Sequence, residues 1–394
     1  MTGIRNVSSP QSQVSRPAVP SSPEAVRAST PVARPTGLRP NAPQLASGGG
    51  DLFQSASSAQ ERHLRLVGRE PAAASAATPA AGKPPKPTGE PVIAVFDGGV
   101  DFRHEDLDGA MWTNPGEVKG DGKDNDGNGV VDDVHGFNAG FRSGDVMRGG
   151  GTDHGTHVAG IIAAEDNGKG NTGVAAGKAK ILSVGGMYDG ADLLTNFERA
   201  VDYVVKMKTE KGVNIRAVNA SFGDTYPDKA DQARWKAAVR KLADADILLL
   251  AATANGNGSN LNGVADMPAN LNLPNVLTVA SMDRDNDKLA SFSSHGDKVV
   301  ELAAEGEDIL STVPGGRWQE MSGTSMATPR VAATAALMFA ANPSLTAAQV
   351  RDLLVKTVEK DADLKGKVST GGKLDMEAAL AAARAQARVA VAAR

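Results

Sequence analysis

The sequence contains no cysteine among its 394 residues, and only 4% of the residues are aromatic. Without thiols, the protein has no disulfide framework, no cysteine nucleophile and no thiolate metal site. The first thirty residues lack an apolar run of signal-peptide length, and no stretch of the sequence is long and apolar enough for a transmembrane helix. We therefore expect a soluble protein without a membrane partner.

A strong excess of one charge is also lacking, because 42 basic and 46 acidic residues leave a net charge of −4. The sequence therefore lacks the overall excess of Lys and Arg that is typical of proteins that bind nucleic acid. The charge is unevenly distributed, however: residues 1–90 carry ten Lys or Arg and five Asp or Glu, whereas the remainder carries 32 and 41. A basic tail on an acidic body can dock an export machine or another partner, although a solvated linker is the more common meaning.

The first ninety residues differ from the rest in composition. They hold thirteen of the 21 prolines, among Ser, Ala and Thr, and a single aromatic residue, Phe53. Such a segment buries too little apolar surface to offset the entropy lost on ordering. We predict a disordered tail over 1–90 with one short helix at 51–67, in preference to a folded inhibitory pro-segment.

The pattern changes at Pro91, where apolar runs of strand length begin to alternate with helical patterns. The predicted strands are 91–96, 180–184, 213–221, 247–252, 276–281 and 299–304. The predicted helices are 154–165, 191–208, 228–244, 323–341, 345–358 and 374–392. Strands apolar on both faces that alternate with helices indicate a mostly parallel sheet covered on both sides. We therefore predict one three-layer α/β domain over 91–394, with its chemistry beyond the carboxyl ends of the strands.

Three glycine-bracketed segments carry the acid, base and nucleophile of a hydrolytic triad: VFDGGV at 95–100, HGTHVAG at 154–160 and GTSMATP at 323–329. Taken singly, Asp97 is a turn residue, His157 a packed histidine and Ser325 a helix N-cap. Together they supply what a serine nucleophile needs, namely an imidazole to take its proton and a carboxylate to orient the imidazole. The chain order Asp–His–Ser is the order of the subtilisin triad.

These three segments resemble the catalytic blocks of the subtilisin-like serine proteases, and the resemblance extends over 91–360. It implies that Asp97 orients the base, that His157 is the base and that Ser325 is the nucleophile. It also implies a side-chain amide in the oxyanion hole, which the motif register assigns to Asn255, with Asn257 as the rival. The sequence departs from the family pattern at Arg330, where histidine is common, and at Glu305, where proline is usual.

The same resemblance indicates polypeptide substrates, bound as an added strand along Ser221, Phe222 and Gly223. Backbone hydrogen bonds to such a strand do not depend on substrate side chains. Small residues at 221 and 223 leave room for a sizeable apolar side chain of the substrate. An ordinary buried strand end is the alternative reading of this segment.

An acidic loop, DNDGNGVVDD at 124–133, predicts a calcium site. Oxygen ligands on alternate residues of a tight loop can converge on Ca²⁺. The predicted ligands are Asp124, Asp126, Asn128, the Val130 carbonyl, Asp132 and Asp133. The loop departs from an EF-hand at its twelfth position, which is His135 in place of glutamate. A solvated acidic turn is the alternative, and the resemblance favours a structural calcium ion because many members carry such an insert.

The sequence therefore predicts a serine endopeptidase that forms an acyl-enzyme on Ser325. A catalytically silent, calcium-stabilised peptide-binding relative is the alternative. In a third hypothesis the tail is the functional part and docks an export machine, with the protease as its cargo. Export by a route without a Sec signal is favoured over a cytoplasmic location, and residues 85–394 are expected to fold and be active by themselves.

Overall fold

The computed structural model describes residues 89–392. The predicted disordered tail, including the helix predicted at 51–67, lies outside the described residues except for its last two positions. Among residues 89–392, no helix combines the length and the apolar character that crossing a bilayer requires.

The described residues form thirteen strands and six α-helices, with a 3₁₀ turn at Ala269–Leu271. The strands are β1 Val92–Phe96, β2 Gly136–Asn138, β3 Lys180–Gly185, β4 Ile215–Ala220, β5 Asp224–Thr225, β6 Leu248–Ala252, β7 Asp266–Met267, β8 Val276–Met282, β9 Leu302–Glu305, β10 Ile309–Val313, β11 Arg317–Met321, β12 Glu359–Lys360 and β13 Gly372–Lys373. The helices are α1 Thr152–Ala163, α2 Leu193–Thr209, α3 Lys229–Asp244, α4 Thr324–Ala341, α5 Ala347–Lys356 and α6 Met376–Ala392.

Nine strands form the central sheet in the order β12-β13-β9-β8-β6-β4-β1-β3-β2. Every neighbouring pair is parallel except β12 and β13. Two small antiparallel pairs, β10 with β11 and β5 with β7, lie outside this sheet. The predicted fold class, a mostly parallel sheet between helical layers, is confirmed.

The side chains on the two faces of β1 pack in separate hydrophobic cores. Ile93 and Val95 pack in the core that contains residues of α1 and α4, whereas Val92, Ala94 and Phe96 pack with residues of α2 and α3. Successive side chains of a strand point to opposite faces, so a strand buried on both faces is apolar throughout. This is why VIAVF reads as a continuous apolar run and not as an alternating one.

All six predicted strands and all six predicted helices are present, with ends shifted by a few residues. The sequence reading missed β2, β5, β7, β12 and β13, which have only two or three residues each, and the hairpin β10–β11. All five residues in β11, RWQEM, are at least partly exposed. A short or half-polar strand has too little hydrophobic pattern to predict.

The order of connections places a crevice between β1 and β4. From β1 the chain runs through α1 to β3 on one side, and from β4 it runs through α3 to β6 on the other. In open α/β sheets, ligands bind beyond the carboxyl ends of strands at such a reversal. The residues that follow Phe96 and Ala220 are therefore the expected place for a site.

Candidate active site

Asp97 and Ser221 are neighbours at this crevice. Phe96 pairs with Ala220 in the parallel register of β1 and β4, and each of the two polar residues comes next in its chain. Adjacent strands lie about 4.8 Å apart, so the two residues emerge side by side. Both are buried, Asp97 fully so.

The carboxylate of Asp97 contacts a histidine of α1, and that histidine is His154. The Nδ1 atom of His154 lies 2.8 Å from Asp97 Oδ2 and 3.0 Å from Oδ1. The backbone N–H of Gly98 donates to Oδ1 at 2.7 Å. A carboxylate only accepts, so the bond places the imidazole proton on Nδ1 and makes Nε2 the nitrogen that can take up a proton.

His157 has a different position, and the structure contradicts its assignment as the base. Its ring is fully buried, and Nε2 donates to the carbonyl of Gln319 in β11 at 2.9 Å. Its Nδ1 atom is buried without a hydrogen-bond partner, so neither nitrogen bonds to Asp97. Burial lowers the pKa of His157 to about 4, which keeps the ring neutral. This histidine holds the β10–β11 hairpin against α1.

The sequence pattern does not separate His154 from His157, because the two residues lie three positions apart on a helix and so share a face. The start of the helix distinguishes the two histidines. Because α1 begins at Thr152, His154 lies in its first turn, at the loop edge of the sheet, and His157 lies one turn further along the helix. Gly155 allows the close approach. A Cβ atom there would lie 2.1 Å from the carbonyl oxygen of Gly99 and 3.0 Å from Asp97 Cβ.

Ser325 is the second residue of α4 and lies against Ser221. The Ser325 hydroxyl donates to the Ser221 carbonyl at 3.1 Å, and the Ser221 hydroxyl donates to the Ser325 carbonyl at 2.9 Å. The first N–H groups of a helix have no intrahelical acceptor, and the helix dipole is positive at this end. The site therefore brings Asp97 with His154, and Ser221 with Ser325, to two adjacent strand ends.

Asn255 lies beside the start of α4 with its amide oriented. Its Oδ1 accepts from the backbone N–H of Thr324 at 3.1 Å and lies 3.2 Å from the Thr324 hydroxyl. With the oxygen so occupied, the amide nitrogen is the group presented to the site. The rival Asn257 is an exposed turn residue with a φ of 52°. The geometry therefore favours Asn255 as the side-chain donor.

The predicted substrate strand continues β4 past Ser221. The ring of Phe222 is buried in the core, with its centroid 6.3 Å from that of Phe197, so its side chain does not face a substrate. Gly223 is exposed. The face that this segment offers is therefore backbone and small side chains.

The two departures from the family pattern contact each other. Arg330 Nη2 lies 2.6 Å from Glu305 Oε2, and both side chains are about one-third exposed. The pair joins α4 to the end of β9. The two residues that depart from the family pattern therefore form one ion pair in the fold.

The acidic loop gathers a set of carboxylates that differs from the predicted one. Oxygens of Glu117, Asp124 and Asp126 lie within 4.8 Å of one another. Asp132 instead accepts from the backbone N–H groups of Gly120 and Gly122. The amide of Asn128 donates to both Asp126 and Asp133, and its Oδ1 accepts from the N–H of Val130. The sequence reading missed Glu117, because it lies seven residues before the loop pattern begins.

Asp133, a predicted ligand, faces the core instead of the cluster. It is fully buried and accepts from Asn114, Asn128 and the Tyr203 hydroxyl, the last at 2.6 Å. Burial raises the pKa of Asp133 to about 6 despite these donors. The structure therefore contradicts a single ion bound by Asp124, Asp126, Asn128, Asp132 and Asp133 together.

The geometry agrees with comparisons to known proteins. The model of the subtilase family matches residues 88–374, which is more than half of the chain. The chain belongs to the subtilase family.

Among its relatives, the chain is 33% identical over 302 residues to subtilisin-like protease 1 of Plasmodium vivax, a match that covers 72% of this chain and 46% of that protein. It is 36% identical over 211 residues to the subtilisin of Bacillus pumilus, covering 52% and 70%. The chain thus spans about half the length of the Plasmodium relatives it matches.

Solved structures share the fold. The prenylagaramide maturation protease PagA superposes with a TM-score of 0.55 at 26% identity, covering 74% of this chain and 93% of that one. A cold-adapted subtilisin-like serine proteinase superposes with a TM-score of 0.52 at 26% identity, covering 71% and 87%.

Proposed function

We propose that this chain is a serine endopeptidase that cleaves polypeptides through an acyl-enzyme on Ser325, with His154 as the base and Asp97 as its orienting carboxylate. The observation that carries the proposal is the hydrogen bond that His154 Nδ1 donates to Asp97, next to the mutual hydrogen bonds of Ser221 and Ser325. Membership of the subtilase family supports it.

In the proposed reaction, the Ser325 hydroxyl turns from the Ser221 carbonyl and gives its proton to His154 Nε2 as its oxygen attacks the scissile carbonyl. Asp97 stabilises the imidazolium that forms. The negative oxygen of the tetrahedral intermediate accepts from the backbone N–H of Ser325 and from the amide of Asn255. His154 then protonates the leaving amine, and a water molecule, activated by the same nitrogen, releases the acyl group.

The substrate lies as an extended strand beside Ser221–Gly223. Backbone hydrogen bonds of this kind do not depend on the side chains of the substrate. They would therefore position a peptide bond at Ser325 without determining which sequence is cleaved. The buried ring of Phe222 holds the segment rigid, since it packs in the core. Selectivity must come from side-chain pockets at either end of the strand.

Glu117, Asp124 and Asp126 would hold a calcium ion. The cluster fits a cation because Glu117 Oε2 is buried without a hydrogen-bond partner and three carboxylates converge. Lys211, 4.0 Å from Asp126 Oδ1, offsets only part of this charge. When bound, the ion would stabilise the loop by neutralising the carboxylates and would take no part in the chemistry.

A fluorophosphonate probe, which reacts only with an activated serine, tests the function. The full chain should be labelled, and Ser325→Ala should not, while Ser369→Ala, which removes the hydroxyl of an exposed serine outside the site, serves as the matched control. Peptide hydrolysis should be lost in parallel with labelling. If a folded, calcium-loaded chain neither reacts with the probe nor cleaves casein, the silent peptide-binding alternative replaces the proposal.

A further inference from the structure

Asp266 is a buried carboxylate that the proposed reaction does not use. It lies in β7 with no exposed surface. Its Oδ2 accepts from the backbone N–H of Ala254 at 3.1 Å, whereas Oδ1 is buried without a hydrogen-bond partner. A buried carboxylate is costly when it is charged and unpaired, so a cation brought next to Oδ1 would be bound favourably.

The position of Asp266 connects it to the substrate strand. A Cβ atom built on Gly223 would lie 2.9 Å from Asp266 Oδ1, so this oxygen lies directly behind the exposed backbone of that glycine. The other oxygen binds the residue before Asn255. The carboxylate thus lies between the strand that would bind the substrate and the amide that would bind the oxyanion.

In the proposed binding mode, a substrate side chain would approach this same place. The scissile carbonyl would be held by Ser325 and Asn255 and its chain would run beside Ser221–Gly223, so the side chain of the residue that supplies the carbonyl would point between those two segments. Gly223 carries no side chain and Ser221 a small one, and Asp266 Oδ1 is the acidic group next to Gly223. A long side chain directed here would approach Asp266.

The charge of the surroundings favours a cation. Burial raises the pKa of Asp266 to about 7, and the Asp224 carboxylate adds to the rise. Asp224 is held nearby because β5 and β7 pair, with Thr225 opposite Asp266. Asp266 Oδ1 lies beside Gly223, and neither Asp266 nor Asp224 has a salt-bridge partner among the described residues. An ammonium or guanidinium group next to Asp266 would neutralise its charge.

We propose that Asp266 makes this chain select substrates with arginine or lysine immediately before the scissile bond. The inference rests on the proposed function and replaces the sizeable apolar side chain that the small residues at 221 and 223 suggested. Asp266 acts as a specificity residue: it pairs with the substrate cation and takes no part in proton transfer.

The test is a series of peptides that differ only at this substrate position, with Arg, Lys, Leu, Phe or Glu, cleaved by the full chain and by Asp266→Asn. We expect the natural chain to prefer Arg and Lys. In the variant, kcat/KM for the Arg peptide should fall about 100-fold, while the Leu peptide changes by less than about threefold. Asp108→Asn, which removes the same charge from an exposed loop at the amino end of β3, should leave the preference unchanged.

The outcomes separate the inference from the function on which it rests. Hydrolysis with a preference for Leu or Phe would overturn the inference alone, and so would an equal loss on every peptide in Asp266→Asn, which would indicate a merely structural role. Absence of both cleavage and probe labelling would overturn the proposed function and the inference with it. Benzamidine gives a second readout, since it should inhibit cleavage of the Leu peptide by the natural chain more strongly than by Asp266→Asn.

Discussion

At the scale of single residues, the proposed chemistry depends on which histidine of α1 contacts Asp97. His154 bonds to that carboxylate, and His157 bonds to Gln319. We expect His154→Ala to lower kcat by about 10⁴-fold or more, as loss of a triad base does. His157→Gln should retain activity within about tenfold, because the Gln amide can still donate to the Gln319 carbonyl and only packing changes.

The measurement is peptide hydrolysis and probe labelling of both variants, with circular dichroism to show that each has folded. The matched pair is informative because both substitutions alter a histidine of the same helix. Full activity in His154→Ala with loss in His157→Gln would restore His157 as the base.

Asp266 gives a pH dependence of stability at the same scale. Its pKa is raised from 3.8 to about 7 in the folded chain. The folded state therefore holds the proton through a window in which the unfolded state has lost it, so the free energy of unfolding falls as pH rises from about 4 to about 7. Asp266→Asn removes this penalty, and its stability relative to the natural residue should increase by on the order of 2–4 kcal/mol across that window.

Urea unfolding at pH 4.5 and pH 8 measures this difference. Both chains should carry Ser325→Ala, so that self-cleavage does not interfere. A difference between the two chains that is the same at both pH values would show that Asp266 does not titrate in this range.

At the scale of elements, the start of α4 and the segment after β6 form the proposed oxyanion site. The N–H of Thr324 donates to the oxygen of Asn255, which leaves the amide nitrogen as the donor for the proposed reaction. We expect Asn255→Ala to lower kcat by about 10²–10³-fold with little change in KM, because the lost donor acts on the transition state. Asn257→Ala is the control and should be near the natural activity. If the two variants exchanged these effects, Asn257 would be the donor.

The ion pair between α4 and β9 is a second feature at this scale. Arg330 and Glu305 are partly exposed, so solvent screens their attraction and the pair contributes little. A double-mutant cycle with Arg330→Ala and Glu305→Ala should give a coupling of about 0.2–1 kcal/mol in the free energy of unfolding. We expect kcat/KM to stay unchanged in all three variants, and a loss of activity would place the pair in the catalytic machinery.

At the scale of the whole molecule, calcium should stabilise the chain by holding the acidic loop to the body. Binding only to the folded state at about 100 times the dissociation constant adds about 2.7 kcal/mol, so millimolar calcium should raise Tm. Glu117→Gln and Asp126→Asn should abolish the rise. Asp132→Asn, which loses the bonds to Gly120 and Gly122, should lower Tm yet keep the rise.

Differential scanning calorimetry with calcium, with magnesium and with chelator checks this prediction. A calcium-dependent rise that Asp132→Asn removes and Glu117→Gln keeps would favour the ligand set predicted from the sequence. No rise in the natural chain would mean that the cluster is a solvated acidic turn.

The length of chain before β1 gives a further prediction at this scale. β1 lies between β3 and β4, and the core contacts of the described residues begin at Val92. A chain that starts at residue 85 should therefore fold and cleave peptides with the kcat/KM of the full chain. Recovery of soluble but inactive protein that regains activity when residues 1–84 are added would show that the tail assists folding.

The sequence by itself determined the fold class and the residue types of the site. Doubly buried strands such as VIAVF and the amphipathic stripe of α2 are local patterns, and the Asp97 and Ser325 motifs lie at strand and helix ends that those patterns define. Periodicity is a property of neighbouring residues, so one sequence is enough to reveal it.

The tertiary structure decided which side chains meet. His154 and His157 share a face of α1, and the packing of α1 against β1 and the β10–β11 hairpin gives them different partners. Glu117 joins Asp124 and Asp126 because the loop folds back, and Asp266 reaches Gly223 because β5 pairs with β7. These contacts link residues distant in sequence, and they depend on the geometry of the assembled chain, which no local pattern contains.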